Sequence, residues 1–263
     1  MLLLLFSAAA LAGALNSVAG GGSFLTLPAL FFAGVTPIVA NATSTVVLWP
    51  GSLSSLIAYR RELGATPLKW LVLLGGVSLV GGFVGAVLLV RTSDTSFMRL
   101  LPWLMLVAAV TFTFGGRLRR TPSLRPAPAS PAHPASPAHP AAPAPPAGML
   151  LVSATQLFMS IYGGYFGGGM GIMMLAAFAL AGMAHIHEMN ALKTLLGVAI
   201  NGLAMLTFIV TGRVAWHYAG AMIAGAIAGG YFGASLARTI DPKWIRLLVT
   251  ALAWSMTLYF FAR

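Results

Sequence analysis

The sequence contains no cysteine and very few acidic residues. Only 7% of its 263 residues are charged, and the acidic ones are limited to Glu62, Asp94, Glu188 and Asp241. A chain without cysteine forms no disulfide and has no thiolate chemistry. None of the apolar segments contains a pair of carboxylates, which a cation pump usually needs inside the membrane. A cation pump is therefore disfavoured.

The sequence also lacks the short motifs of common enzyme and metal sites. It has neither the HExxH pattern of zinc proteases nor the GxxxxGK[ST] loop of nucleotide-binding proteins. No nucleophile stands in a recognisable arrangement with a general base, so we expect no catalytic residue and no enzymatic activity. The same shortage of acidic and thiol ligands predicts no metal centre and no cofactor.

Apolar residues dominate the composition instead. The chain is 59% hydrophobic with a mean hydropathy of +0.90, whereas about a quarter of the residues of a soluble protein are charged. The apolar runs are too long for barrel strands, which alternate over about ten residues. Only helices and closed barrels satisfy the backbone in lipid. The sequence therefore predicts an all-α polytopic membrane protein.

Ten apolar runs divide the chain into two halves of five. Their approximate bounds are 2–19, 24–34, 38–59, 68–90 and 98–114, then 149–166, 170–183, 186–211, 215–237 and 244–262. A helix needs about 20 residues to span a membrane, and the second run of each half is shorter than that. We expect these two runs to be half-helices or re-entrant segments, broken at the glycines before them. Asp94 and Asp241 are expected to cap the fifth run of each half.

The two halves are copies of each other. The glycine triplet at 20–22 corresponds to the triplet at 167–169, and matched positions lie 147 to 149 residues apart. The chain thus divides into an N-terminal membrane repeat at 1–116, a linker at 117–148 and a C-terminal membrane repeat at 149–263. The linker is rich in Pro, Ala and His, which predicts an extended, polyproline-like tether. Duplicated apolar halves with matching glycine and polar motifs are typical of membrane transporters.

The basic residues lie mostly in loops between the apolar runs. We attribute the net charge of +11 to loops that face lipid headgroups and not to nucleic-acid binding. If each half crosses the membrane five times, ten basic residues lie on the linker side and four on the other. This predicts a cytoplasmic linker, external termini and inverted repeats. Four crossings would make the repeats parallel and the count nine against five, so the charge bias favours inversion.

The glycine triplets are candidate binding segments. Glycine costs a helix about 1 kcal/mol relative to alanine, and each triplet opens one of the two short runs. An unwound turn at a helix start presents backbone N–H groups and the positive end of the helix dipole, which together attract anions. Glycine can also be a small packing residue in a membrane helix. The substrate-binding residues predicted here are Gly20, Gly21, Gly22, Ser23, Gly167, Gly168 and Gly169.

Each half carries a polar stripe soon after its triplet. Asn-Ala-Thr-Ser-Thr at 41–45 corresponds to Asn-Ala-Leu-Lys-Thr at 190–194, and the spacing i, i+3, i+4 places the polar members on one helix face. Ser52 and Asn201, also matched, lie two turns further along. Such residues can hold helices together, but a paired stripe beside a paired glycine break favours a shared central site. The stripe residues assigned to it are Asn41, Ser44, Thr45, Asn190, Lys193, Thr194 and Asn201.

Lys193 is the most informative single residue. It lies about 10 Å into its predicted helix at 1.5 Å per residue, where a lysine either snorkels to the interface or places a charge on an anion pathway. Upstream, His185, His187 and Glu188 form a group at the helix entrance. We interpret this group as a solvated helix start or a proton-responsive gate. An intramembrane metal protein or enzyme that uses the same three residues is the alternative from another class.

These motifs resemble those of the TauE/SafE family of sulfite and organosulfur-anion transporters. The matching stretches are AGGGSFLTLP at 19–28, NATS at 41–44, YGGYFGGGMG at 162–171 and NALKT at 190–194. The resemblance covers nearly the whole chain except the linker, which is longer than expected. It implies a secondary transporter of a small sulfur anion such as sulfite, a sulfonate or sulfoacetate in a bacterial cytoplasmic (inner) membrane. An anion channel of the same architecture is an alternative. A coupling proton or cation and a homodimer are left open.

Overall fold

A computed structural model describes residues 1–18, 21–58, 63, 67–118, 146–183, 186–236 and 242–262. These residues form ten α-helices and contain no β-strand. The first five helices are α1 (Leu2–Val18), α2 (Ser23–Phe32), α3 (Pro37–Ala58), α4 (Leu68–Arg91) and α5 (Asp94–Leu118). The second five are α6 (Pro146–Tyr165), α7 (Met170–Leu180), α8 (Ile186–Val210), α9 (Trp216–Leu236) and α10 (Pro242–Ala262). The predicted all-α class is confirmed.

The helix lengths separate spanning helices from short ones. Leu68–Arg91, Asp94–Phe114 and Glu188–Val210 are long and apolar enough to cross a membrane. In contrast, α2 has 10 residues and α7 has 11. Each is therefore about 15 Å long at 1.5 Å per residue, half of the roughly 30 Å hydrocarbon core. The two short segments expected after the glycine triplets are present.

The start of α5 corrects one expectation. Ser93 caps this helix, because its Oγ accepts the Ser96 N–H at 3.2 Å and donates to Ser96 Oγ at 2.9 Å. Asp94, expected to be the cap, instead accepts the Ile38 N–H at 2.9 Å in the first turn of α3. A carboxylate at a helix start is favoured by the helix dipole, and this one joins the starts of α3 and α5. Asp241 lies outside the described residues.

Hydrogen bonds between helix ends define the two ends of the bundle. The Ala215 N–H, just before α9, donates to Thr43 Oγ1 near the start of α3 at 2.9 Å. The Tyr218 hydroxyl donates to the Ala33 carbonyl, just before α3, at 3.4 Å. The starts of α3, α5 and α9 therefore lie together. We call this the terminal end, and the opposite end, where α5 ends, the linker end.

Helices α6 and α7 form a hairpin that enters from the linker end. The side chains of Gln156 and Ser78 meet at 2.8 Å, and the Tyr165 hydroxyl donates to Thr92 Oγ1 at 3.3 Å. Hence α6 runs parallel to α4, towards the terminal end. A Cβ added at Gly169 would lie 2.7 Å from Ala108 Cβ in the middle of α5. Helix α8 ends just before α9, whose start lies at the terminal end, so α8 begins at the linker end. Because α7 leads into the start of α8, it returns from that depth to the linker end.

Helices α1 and α2 form the opposite hairpin. Gly225 packs against Phe6 and Gly229 against Ala10, so α1 runs parallel to α9, away from the terminal end. Near the end of α1, Asn16 Nδ2 donates at 3.1 Å to Ser52 Oγ, far along α3. Helix α2 then returns to the terminal end, where α3 begins. The two glycine breaks are therefore the tips of two hairpins that enter from opposite ends.

Helix packing between the halves is reciprocal. Helix α1 packs on α9 as α6 packs on α4, and α3 contacts α9 as α8 contacts α4. Helix α2 meets α10 as α7 meets α5, while α3 pairs with α8 and α5 with α10. An inverted repeat requires this exchange of partners and these opposite entries.

Glycines make the closest of these helix contacts. A Cβ added at Gly85 would collide with the Ile161 carbonyl of α6, and one at Gly229 with the Ala10 carbonyl of α1. Small residues let membrane helices approach closely and gain van der Waals contact where lipid offers no hydrophobic drive. Both hairpins are thus held against the opposite half at backbone contact distance, which fixes the height of their tips.

Candidate functional site

A cavity of about 90 Å³ lies between the tips of the two hairpins. The end of α1, both glycine breaks and the middle of α3 and α8 contribute to its wall. The lining residues are Asn16, Gly21, Ser23, Thr45, Leu48, Ser52, Gly167, Gly169, Met170, Gly171, Lys193, Thr194, Gly197, Val198 and Asn201. The structure therefore brings together Gly21, Ser23, Thr45, Gly167, Gly169, Lys193, Thr194 and Asn201 from the sequence-predicted set.

Both tips have backbone conformations that favour glycine. The φ angles of Gly21, Gly167 and Gly169 are 98°, 80° and 79°, in the region that residues with a side chain rarely adopt. Because the first N–H groups of a helix have no intrahelical acceptor, a helix start at a cavity offers donors to a ligand. In α7, intrahelical bonding begins with the Ile172 N–H, which donates to the Gly169 carbonyl at 3.1 Å. Two helix starts thus converge on one small space.

The ring of Phe112 on α5 links the two breaks. A Cβ at Gly21 would lie 3.0 Å from Phe112 Cζ, and a Cβ at Gly169 would lie 3.5 Å from Phe112 Cε2. Phe24, in the first turn of α2, packs edge-to-face on the same ring, with the centroids 5.9 Å apart. Phe112 is fully buried. The Phe112 side chain therefore packs against both tips.

Among the described residues that line the cavity, Lys193 is the one with a charged side chain. A Cβ added at Gly171 would lie 3.3 Å from Lys193 Cδ and 3.9 Å from Cε, so the lysine stem passes over the first turn of α7. The matched residue of the first half, Ser44, is buried, and its hydroxyl lies 2.5 Å from that of Thr26. The two halves differ in charge at this matched position.

The polar stripes divide between the cavity and the helix contacts. Thr45 and Thr194 line the cavity, and their hydroxyls donate to the carbonyls of Asn41 and Asn190 at 3.1 and 2.7 Å. Asn41 is buried, and its Nδ2 donates to the Tyr165 carbonyl at 2.9 Å, at the end of α6. Asn41, Ser44 and Asn190 therefore lie outside the lining. The first two make interhelical hydrogen bonds.

Two glycines of the triplets, Gly22 and Gly168, also lie outside the lining. A Cβ at Gly22 would lie 2.6 Å from the Ala12 carbonyl, so this residue packs against α1. The Gly168 carbonyl accepts the Tyr162 hydroxyl at 2.7 Å, and the same hydroxyl lies 3.1 Å from the Leu104 carbonyl. Gly22 and Gly168 therefore shape the tips from outside the cavity. Gly20 falls outside the described residues.

Asn16 and Ser52 are cavity residues that the sequence did not assign to the site. Asn16 Nδ2 donates to Ser52 Oγ at 3.1 Å, and Ser52 Oγ donates to the Leu48 carbonyl at 3.2 Å. Comparison of the repeats could not find Asn16, because the matched position is Gly163, where Met170 fills the space. The available signal was a lone amide at the end of an apolar run, just before a glycine triplet.

The histidine group lies mostly outside what the structure describes. Glu188 is half-buried in the first turn of α8, at the linker end. His185 and the side chain of His187 fall outside the described part. Within that part, no group of three His, Cys, Asp or Glu residues could hold a metal ion. The gating, metal and enzyme roles of His185, His187 and Glu188 stay predictions.

Comparison with known proteins gives one family along almost the full chain. The family model described as "Sulfite exporter TauE/SafE" matches residues 5–260. A Haemophilus influenzae protein named "Probable membrane transporter protein" is 29% identical over 266 residues, which cover 98% of this chain and 93% of that protein. The similarly named Escherichia coli YfcA is 27% identical over 254 residues, with coverages of 96% and 87%. Bacillus subtilis YunE is 24% identical over 248 residues, with coverages of 91% and 89%. No solved structure matches the chain.

Proposed function

This chain belongs to the TauE/SafE sulfite exporter family, and from that premise we propose that it is a secondary transporter of a small sulfur-containing anion. Sulfite, a sulfonate or a sulfoacetate-like ion is the substrate, and the cavity between the hairpin tips is its binding site. The chain is a bacterial membrane protein of a transporter family. We further propose that the chain lies in the cytoplasmic (inner) membrane, that its linker is cytoplasmic and that it performs no catalytic step.

One observation carries this proposal: Lys193 and two glycine-broken helix starts line the same small cavity. An anion that leaves water must regain donors and a counter-charge, and backbone N–H groups at helix starts supply donors without adding a mobile side chain. An ionisable residue within a membrane segment is expensive to keep and typically marks a substrate pathway. The Ser23 hydroxyl adds a polar contact, whereas the Thr45 and Thr194 hydroxyls donate to backbone carbonyls of their own helices and can only accept from a ligand.

The hairpin arrangement supports alternating access to this site. Each tip is reached from a different end of the bundle, and in transporters built from inverted repeats one repeat moves against the other around a fixed site. If one hairpin withdraws, the cavity opens to the end from which that hairpin enters. The reciprocal packing then allows the other hairpin to do the same at the opposite end. The cavity would be exposed to one side at a time.

Ligand binding to the purified protein tests the site. Sulfite, methanesulfonate and sulfoacetate are titrated against the wild type, Lys193→Ala and Gly168→Val. Because hydrogen bonds to charged groups contribute about 1.5–3 kcal/mol, Lys193→Ala should weaken binding about 10- to 100-fold. Lys69→Ala, at the exposed start of α4, removes the same charge elsewhere and should bind normally. Undiminished binding in both Lys193→Ala and Gly168→Val would refute the assignment.

Transport measurements separate the carrier from a channel. In proteoliposomes, a carrier exchanges labelled sulfite for unlabelled sulfite, and its counterflow saturates as the concentration rises. A channel of the same architecture instead gives an ion current far above carrier turnover and no counterflow. We expect saturable counterflow in the wild type and none in Lys193→Ala.

A further inference from the structure

The two hairpin tips differ in the side chains that they present to the cavity. At the N-terminal tip, Asn16 and Ser23 are both lining residues, and each has a polar side chain. The matched residues of the C-terminal tip, 147 positions later, are Gly163 and Met170. Met170 is also a lining residue, whereas glycine contributes no side chain. The C-terminal tip therefore places a thioether where the N-terminal tip places an amide and a hydroxyl.

The Met170 side chain lies between two glycines. A Cβ added at Gly163 would collide with Met170 Sδ, and a Cβ added at Gly197 would lie 3.8 Å from Met170 Cε. The buried thioether therefore extends from near the end of α6 to the middle of α8. Gly197 lines the cavity as well, so the methyl group of Met170 stands beside the cavity wall.

The glycine neighbours make the volume of Met170 available to a ligand when the side chain is shortened. Surrounding side chains normally move into part of the space that a truncated residue leaves. Gly163 and Gly197 have no side chain that could do so. The atoms Cγ, Sδ and Cε of Met170 therefore occupy space that would otherwise extend the cavity. Because methionine is unbranched and fills irregular gaps, it closes this space while leaving a smooth apolar surface.

We propose that Met170 limits the length of the carbon chain that a substrate can carry. The inference rests on the proposed function, in which the sulfur oxyanion group of the substrate lies between the helix starts. The carbon end of an organosulfonate then packs against the Met170 thioether, because carbon makes no hydrogen bond with the amide and hydroxyl of the N-terminal tip. The cavity of about 90 Å³ accepts a short chain, and each further methylene must displace the thioether, which overpacks the site.

A series of alkanesulfonates tests the proposal on the full-length protein. Methanesulfonate, ethanesulfonate and propanesulfonate have the same head group and charge and differ only in their methylenes. The wild type should bind methanesulfonate at least ten-fold more tightly than propanesulfonate. Met170→Ala removes Cγ, Sδ and Cε and should bind propanesulfonate more tightly than methanesulfonate, because each methylene that it now buries strengthens binding about four-fold.

Two further variants separate the length limit from a loss of stability. Met174, one turn further along α7, is fully buried and is not among the described lining residues. Met174→Ala therefore removes the same atoms outside the cavity and should keep the wild-type order. Gly197→Ala favours the helix and places a methyl group in contact with Met170 Cε. It narrows the space and should raise the preference for methanesulfonate over ethanesulfonate at least three-fold.

The outcomes distinguish the length limit from the anion site. A wild-type order of affinities in Met170→Ala, or in Gly197→Ala if Met170→Ala does not fold, would overturn the length limit while methanesulfonate binding keeps the anion site in place. Equal binding of methanesulfonate and propanesulfonate by the wild type would overturn it in the same way. A wild type that binds neither sulfite nor any of these sulfonates would overturn the proposed function as well.

Discussion

The stem of Lys193 on α8 lies over Gly171 in the first turn of α7, with Cδ 3.3 Å from where a Gly171 Cβ would stand. This relationship places Lys193, the only cation among the described lining residues, beside the tip of the C-terminal hairpin. Because Gly171 has no side chain, the lysine can cross the helix and reach the cavity. The first half has no counterpart, since Ser44 at the matched position bonds Thr26 instead.

Gly171→Ala should therefore impair substrate binding more than stability. A Cβ at 3.3 Å forces the lysine stem to shift by a few tenths of an ångström, while alanine favours the helix by about 1 kcal/mol over glycine. We expect at least a three-fold loss of sulfite affinity in titrations, with little change in melting temperature. Gly75→Ala is the matched control, because a Cβ there meets nothing within 4 Å. Equal affinities in the two variants would contradict the role assigned to Gly171.

Much of the fold could be predicted from the sequence. The apolar runs gave the helices to within a few residues, since burial in lipid requires long uninterrupted apolar stretches. The return of α2 and α7 could be foreseen only as one of two possibilities, because run length does not distinguish a half-helix from a re-entrant arm. Contacts such as Asn16 with Ser52 decide the direction, and they join positions 36 residues apart that no local pattern connects.

Lys193 and three glycines of the candidate site, Gly21, Gly167 and Gly169, could be predicted from the sequence, whereas its amides were predicted less well. Lys193 and the backbone breaks stand out because each is costly in a membrane helix. The helical spacing placed Asn41, Ser44 and Thr45 in one stripe. Three residues turn a helix by only about 300°, however, so side chains three positions apart point in directions about 60° apart and can contact different helices. Asn41 points to the α6 end and Ser44 to α2, as their hydrogen bonds show. Only the packing of the other helices could separate them.

The C-terminal hairpin tip should be sensitive to a methyl group at Gly169. This residue has a φ of 79°, and its Cβ would lie 2.7 Å from Ala108. Gly34 has a φ of 80° but nothing within 4 Å, so Gly34→Ala incurs the left-handed strain alone, about 1–2 kcal/mol. Gly169→Ala adds a collision and should lower the melting temperature further and abolish counterflow. Equal destabilisation by the two variants would show that α5 can shift away from Gly169 without a measurable loss of stability.

A buried hydrogen bond should couple α4 to α6. Gln156 and Ser78 are both buried, and Gln156 Nε2 donates to Ser78 Oγ at 2.8 Å. Interhelical hydrogen bonds in membrane proteins contribute about 0.6 kcal/mol on average. A double-mutant cycle of Gln156→Leu and Ser78→Ala, measured by unfolding in denaturing detergent, should give a coupling of that order. If the two effects are additive, this hydrogen bond contributes nothing to stability, and the contact between α4 and α6 depends on its glycines.

The opposite entry of the two hairpins predicts opposite labelling of their outer ends. Because the chain has no cysteine, a single introduced cysteine is the only thiol. Phe32 ends α2 and Leu180 ends α7, and their side chains are 68% and 73% exposed. With the linker in the cytoplasm, a membrane-impermeant maleimide added to intact cells should label Phe32→Cys and leave Leu180→Cys unmodified. Inside-out vesicles should show the reverse.

Two further positions act as references for this labelling. Val210, at the end of α8, lies at the terminal end and should label with Phe32→Cys, whereas Leu68, at the start of α4, lies at the linker end and should label with Leu180→Cys. Parallel repeats with four crossings in each half would expose Phe32→Cys and Leu180→Cys on the same side, because each would then follow the same number of crossings in its own repeat. A shared side for these two cysteines would therefore refute the inverted arrangement and, with it, access to the cavity from both ends.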